Sequence, residues 1–230
     1  MVIRIFFFLS LLSSTLHTQA PERPRPWEHK QVQFFIGFSV AQLRAGQELL
    51  RAKDLRDQGL SYGETFGNER KSVGEYPGIQ GGNFGIRFLV PIKRVKRLML
   101  GGYFRGVMTG VNPEAGDSEG YYFNPISLGA SAKYYPFAKC PIALSAEGGM
   151  GGILTKNRFV DDGGVQRYHH QYGIGNSAAL GLAYFFPIKG DFGVELLSQY
   201  QWLNIRTEVD NIGSDNWRAG LWNNSVILNF

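Results

Sequence analysis

The sequence predicts an all-β protein, a transmembrane antiparallel meander β-barrel of about eight strands with short periplasmic turns and long extracellular loops. Three observations predict it. Hydrophobicity from Gln31 onward repeats with period two, so successive side chains alternate between the two faces of strands. Short and long connections alternate along the chain, which is the wiring of an up-and-down barrel in a membrane. The composition fits both: 230 residues carry 43% hydrophobic, 14% aromatic and 19% charged side chains and 30 glycines, with a mean hydropathy of −0.17. Apolar outward and polar inward positions cancel in such an average. The length allows one domain with a sizeable core, and the composition excludes a disordered chain.

The first residues read as an export signal. Arg4 is a short basic head, Ile5 to Leu12 an apolar run, and Thr18-Gln19-Ala20 a small-residue cleavage pattern, which assigns residues 1–20 to a signal peptide. The run is about half the roughly 20 apolar residues that a membrane helix needs. Residues 21–30, PERPRPWEHK, are proline-rich and charged and are expected to form an N-terminal periplasmic tether. The barrel is expected over 31–230. Cys140 has no partner for a disulfide, and no cysteine stands at the cleavage site to carry a lipid anchor.

Strands are predicted near 31–41, 80–91, 98–109, 122–135, 141–154, 170–186, 191–205 and 217–230. In the second, Phe84, Ile86, Phe88 and Val90 share one face and Gly85, Arg87 and Leu89 the other. In the third, Leu98, Leu100, Phe104 and Met108 alternate with Met99, Gly101, Tyr103 and Arg105. In the seventh, Phe192, Val194, Leu196, Tyr200 and Trp202 oppose Gly193, Glu195, Gln199 and Gln201. Short turns are expected at 91–97, 136–140 and 187–190, and polar loops at 42–79, 110–121, 155–169 and 206–216. Within the long first loop, AGQELLRAKDLRDQG at 45–59 predicts a short amphipathic helix closed by Gly59. Closure follows because lipid offers no hydrogen-bond partner to an open sheet edge.

The last strand, WRAGLWNNSVILNF, ends on Phe230 with Leu228, Val226 and Trp222 at alternate positions behind it. This end resembles the signal read by the outer-membrane assembly machinery. With the signal peptide and the alternating connections, the chain resembles the eight-stranded outer-membrane barrels of Gram-negative bacteria of the OmpA/OmpX-like type. The resemblance implies an outer-membrane location, contact with outer-membrane lipid and lipopolysaccharide, and no particular activity.

With the apolar face toward lipid, Arg87, Arg105, Lys133, Glu147 and Glu195 fall on the inward face. A barrel of about eight strands is filled by its own side chains. Isolated buried charge is costly, so ion pairs joining the two glutamates to the three cations are expected. Tyr121, Tyr122, Tyr134, Tyr135, Tyr184, Trp202, Trp217 and Trp222 lie near strand ends and are candidates for an aromatic girdle at the headgroup level. Lys93, Arg94, Lys96 and Arg97 crowd one short turn and supply much of the net charge of +5. Secretion and the lack of an aromatic stacking platform argue against nucleic acid as their partner.

Catalytic patterns are thin. His169 and His170 are adjacent, so in a strand they point to opposite faces and cannot readily chelate one metal. One of them with Ser177 is the only arrangement suggesting a lipid-hydrolysing site, and its order and spacing match no motif for such enzymes. Gly148 to Gly152 (GGMGG) lies in a strand and is no phosphate cradle. Glu114, Asp117 and Glu119, then Asp210 and Asp215, are acidic loop positions without the full calcium-loop pattern. No cofactor or metal is expected. The sequence thus points to a monomeric, non-enzymatic barrel with a filled lumen, serving envelope integrity or surface binding to a ligand it does not name. A lipid-modifying enzyme and a small diffusion pore are the alternatives.

Overall fold

A computed structural model describes residues 25–45, 79–111, 120–138, 140–160, 166–189, 192–209 and 213–230. The signal segment 1–20, most of the first loop with its expected helix at 45–59, and the acidic positions Glu114, Asp117, Glu119 and Asp210 lie outside the described residues. Those described form eight strands: β1 (Gln31–Ala45), β2 (Ile79–Pro91), β3 (Leu98–Val111), β4 (Gly120–Tyr134), β5 (Ile142–Val160), β6 (Gln166–Lys189), β7 (Phe192–Val209) and β8 (Gly213–Asn229). Each pairs antiparallel with its neighbours in chain order, and β1 closes on β8. The protein is an eight-stranded antiparallel meander barrel.

The register fixes the shape. Partners followed around the wall from Gln33 through Arg87, Tyr103, Gly129, Gly149, Ser177, Leu203 and Ala219 return to β1 at Leu43, ten residues further on. A stagger of that size over eight strands requires them to tilt by roughly 35–45° from the barrel axis. Where the wall is most crowded, glycine is required: Gly129 and Gly149 pair, and a Cβ on either would strike the backbone of the partner strand.

One parity governs all the strands. Buried side chains, from Gln31 to Asn229, stand at odd positions, and large exposed apolar ones such as Phe34, Ile36, Phe84, Met108, Leu180 and Val226 stand at even positions. Ile36 is 71% exposed, which in water would be a liability and in hydrocarbon is the favoured state. Among the described residues no helix is long and apolar enough to cross a membrane.

The sheet runs further than the hydrophobic pattern does. The connections expected at 155–169 and 206–216 are largely strand, because β5 and β6 stay paired to Val160 and Gln166, and β7 and β8 to Val209 and Gly213. About 9 to 11 residues suffice to cross a bilayer, whereas β6 has 24. The apolar alternation in the sequence stops there while the ladder of backbone pairs continues.

Candidate functional site

The barrel interior is the place where chemistry-bearing side chains converge, and it is built in layers. In the middle lie Arg87 from β2, Arg105 from β3, Lys133 from β4, Glu147 from β5 and Glu195 from β7, all 5% exposed or less. Odd parity turns each of them inward, and the stagger brings five strands to one level. Arg87 Nη2 donates to Glu147 Oε1, and Arg105 Nη2 lies 3.3 Å from Glu147 Oε2. Gln199 Nε2 donates to the same Oε2 at 2.7 Å while its Oε1 accepts from Arg105 Nη2 at 2.8 Å. Glu147 is therefore the common acceptor of two guanidinium groups and an amide. Lys133 Nζ donates to Glu195 Oε2 as a separate pair.

Aromatic and amide groups complete this layer. The Arg105 guanidinium stands 4.4 Å from the centre of the Phe35 ring, a cation–π contact in a dry setting. Gln33 Oε1 accepts from Arg87 Nη1 at 3.4 Å, and Gln33 Nε2 donates to Asn229 Oδ1. Buried charges of this kind are tolerated only when paired and hydrogen-bonded.

Toward the long connections the next layer is uncharged. Gln201 Nε2 donates to Ser127 Oγ at 3.1 Å and Ser177 Oγ at 2.9 Å, and its Oε1 accepts from Asn223 Nδ2 at 3.0 Å. Asn83, Ser39 and Ser225 extend the chain of bonds around the wall. Gln201→Leu should leave two hydroxyls and an amide unpartnered and cost roughly 1–3 kcal/mol. Urea unfolding of the folded barrel in detergent checks this; an unchanged midpoint would mean that the layer is held by something else.

Apolar side chains close both ends. At the long-loop end Val107, Phe123, Ile153, Leu203, Ile205, Trp217 and Leu221 form one cluster, with the Phe123 and Trp217 rings stacked 5.8 Å apart. At the turn end Leu89, Met99, Tyr135, Leu197 and Ile227 form another. Trp27 packs against this lower cluster, its ring 5.1 Å from that of Tyr135, and Gln31 Nε2 ties the segment by donating to Pro26 O at 2.6 Å. Among the described residues the charged and amide layers thus lie between two apolar clusters.

The aromatic positions divide. Trp202 and Trp222 are exposed on the outer wall, each about 5 Å from the Tyr200 ring between them, and Tyr184 packs on Phe186 at 4.4 Å. Tyr134 is half-buried at an outward position. Two assignments to the girdle are corrected: Tyr135 and Trp217 are 0% and 1% exposed and lie inside the barrel. Their odd numbers turn them inward, where they fill the plugs. Tyr121 and Tyr122 begin β4, and their side chains lie outside the described set. Phe230 pairs through its backbone with Val32, and its ring lies against Phe34 and Phe192 on the outer face.

The catalytic alternative loses its geometry. His169 and His170 belong to β6, paired with Asn157 and Lys156. Ser177 is on the same strand eight residues from His169, about 26 Å away at 3.3 Å per residue, and its hydroxyl accepts from Gln201. Among the described residues no group of His, Cys, Asp and Glu can hold a metal. Asn223, the first residue of a glycosylation sequon, is fully buried in the hydrogen-bonded layer. The basic turn holds Arg97 in the left-handed region at φ 69, anchored by Arg97 Nη1 donating to Pro136 O at 2.7 Å, while Lys93, Arg94 and Lys96 are exposed.

Sequence reasoning missed Trp27 and the bridging amides Gln33, Asn83 and Asn223. For the amides the signal is the same odd parity that assigns the charges. For Trp27 there is none, because a single ring after a proline carries no period.

No protein-family model matches the chain, and no curated protein matches it. Among solved structures it is similar to Ail, the attachment invasion locus protein of Yersinia pestis, in a complex with the heparin analogue sucrose octasulfate. The identity there is 13% over 88% of this chain and 99% of that one, with a TM-score of 0.49. It is also similar to Neisserial surface protein A, at 14% identity over 87% and 97% of the two chains with a TM-score of 0.41. OprG, an outer membrane protein from Pseudomonas aeruginosa, has 10% identity over 89% and 98% with a TM-score of 0.40.

Proposed function

We propose that the chain is a monomeric, non-enzymatic outer-membrane barrel of a Gram-negative bacterium, exported by residues 1–20, whose sealed wall carries the long connections at the cell surface for envelope integrity or surface binding. The observation that carries this reading is the pairing of an apolar exterior with an interior in which buried charges are paired with one another between two apolar clusters. That arrangement favours a task carried by the outer surface and the connections over chemistry or transport in the lumen. Trp222, Val226, Leu228 and Phe230 make an apolar terminal face suited to the assembly machinery, and the outward aromatics make a girdle against lipid headgroups.

The test is mobility on a gel with and without boiling, using protein from an outer-membrane fraction. A heat-dependent shift is expected, and it should persist when residues 46–78 are deleted, because the described wall is complete without them. Recovery of the intact chain in the soluble fraction with no shift would sink the reading. Loss of the shift on deletion alone would sink the division between wall and working loop.

A further inference from the structure

One part of the outer wall departs from the plain apolar surface. Across the ladder of β6, β7 and β8, the outward residues Leu180, Tyr200 and Trp222 form one row and Ala178, Trp202 and Gly220 the next. Asn176, Asn204 and Arg218 follow, and then Ile174, Arg206 and Asn216, one step nearer the long connections. Leu180 and two rings give way to one ring between two small residues, and these to amides and two guanidinium groups, with Ile174 exposed beside Arg206. A groove of about 330 Å³ opens there, lined by Asn176, Ala178, Trp202, Asn204 and Arg218. Next to it Gly220 leaves room for the Tyr200 ring, since a Cβ there would collide with the Tyr200 hydroxyl.

We propose that this groove binds a phosphorylated glycolipid of the outer leaflet, with its phosphate on Arg206 and Arg218, its sugar against Asn176, Asn204 and the Trp202 ring, and an acyl chain over Ala178 and Leu180. The proposal rests on the outer-membrane reading. Arg206 and Arg218 are both exposed and diagonal across β7 and β8, about 7 Å apart at their bases, a spacing from which two long, planar donor forks can reach one phosphate at the edge of the groove. No carboxylate faces them among the described side chains; Glu208 comes next on β7, and its side chain lies outside that set. Amides on the headgroup side match the hydroxyls of a sugar better than a small phospholipid head. The rings of Tyr200, Trp202 and Trp222 mark the lipid–water boundary, which sets Arg218 one row and Arg206 two rows above Trp202, on the headgroup side.

The full-length protein, folded in detergent micelles, is titrated with deep-rough lipopolysaccharide, its dephosphorylated form and phosphatidylglycerol, and bound lipid is counted by native mass spectrometry. One copy of the phosphorylated glycolipid is expected, held at least about tenfold more weakly by the R206Q/R218Q double variant, since two charge-assisted contacts are lost. Ala178→Phe, which fills the groove without changing charge, should weaken binding as well. K93Q/K96Q, which removes the same charge at the turn end, should bind like the unmodified protein. Equal binding of the dephosphorylated lipid or of phosphatidylglycerol, or an equal loss in K93Q/K96Q, overturns the site. Every sample is also run for the heat-dependent gel shift. A preserved shift without selective binding rejects the lipid site alone, whereas a missing shift in the unmodified protein rejects the outer-membrane reading beneath it.

Discussion

Glu147→Gln should be the most damaging single change in the interior, lowering the stability of the folded barrel by about 3–5 kcal/mol, the usual cost of removing one partner from a buried ion pair. Glu147 is shared by Arg87 and Arg105, so its loss leaves two guanidinium groups without a counter-charge, and the Gln199 amide donates to a neutral oxygen in place of a carboxylate. Among the described inward side chains three cations face two anions, and the substitution worsens that imbalance. Arg105→Met works the other way: it evens the charges and leaves Arg87 on Glu147, at the loss of the contacts with Gln199 and Phe35. It should therefore cost less than Glu147→Gln. Urea titrations of both variants in lipid vesicles, followed by the folded and unfolded gel bands, compare them, and the reverse order would mean that Glu147 is not the hub.

On the outer wall, Ile36→Arg should cost about 2–4 kcal/mol, the penalty for a cation near the bilayer midplane on a barrel's lipid face. Ile36 stands between the outward Phe34 and Phe38 and beside Phe84 and Val226 in the neighbouring strands, so no polar group lies within its own row. Ser214→Arg, exposed at the start of β8 beyond the lipid, should change stability by less than about 1 kcal/mol. The same titrations check the contrast. Equal costs at the two positions would mean that the even-numbered face does not meet hydrocarbon.

These two results bear on what could be read from the residues alone. The strand number, the antiparallel order and the closure were legible, because where one face meets lipid and the other meets polar side chains the period of two is sharp. Arg87 sits between Ile86 and Phe88 in such a stretch, and counting by twos assigns its face. The same counting fails at the plugs. Around Leu221 and Trp222, and around Leu196 and Leu197, both faces are apolar, so Trp217 and Tyr135 were classed by residue type and proximity to a strand end instead of by parity. The upper ends of β5 to β8 are illegible for the opposite reason: the residues there are mostly polar in the sequence on both faces, and a paired strand has the composition of a loop. Nothing in the pattern announces Trp27 under the barrel, since its partners are contributed by residues far along the chain.

The wall encloses a charge-paired interior closed at both ends by apolar side chains. Conductance of the purified, heat-modifiable protein in a planar lipid bilayer tests it most directly. No steady current of porin size is expected, with or without Arg105→Met. A steady open current in the unmodified protein, altered when Arg105 or Glu195 is neutralised, would mean that ions pass through the charged layer and that the plugs at Trp217 and Tyr135 do not hold.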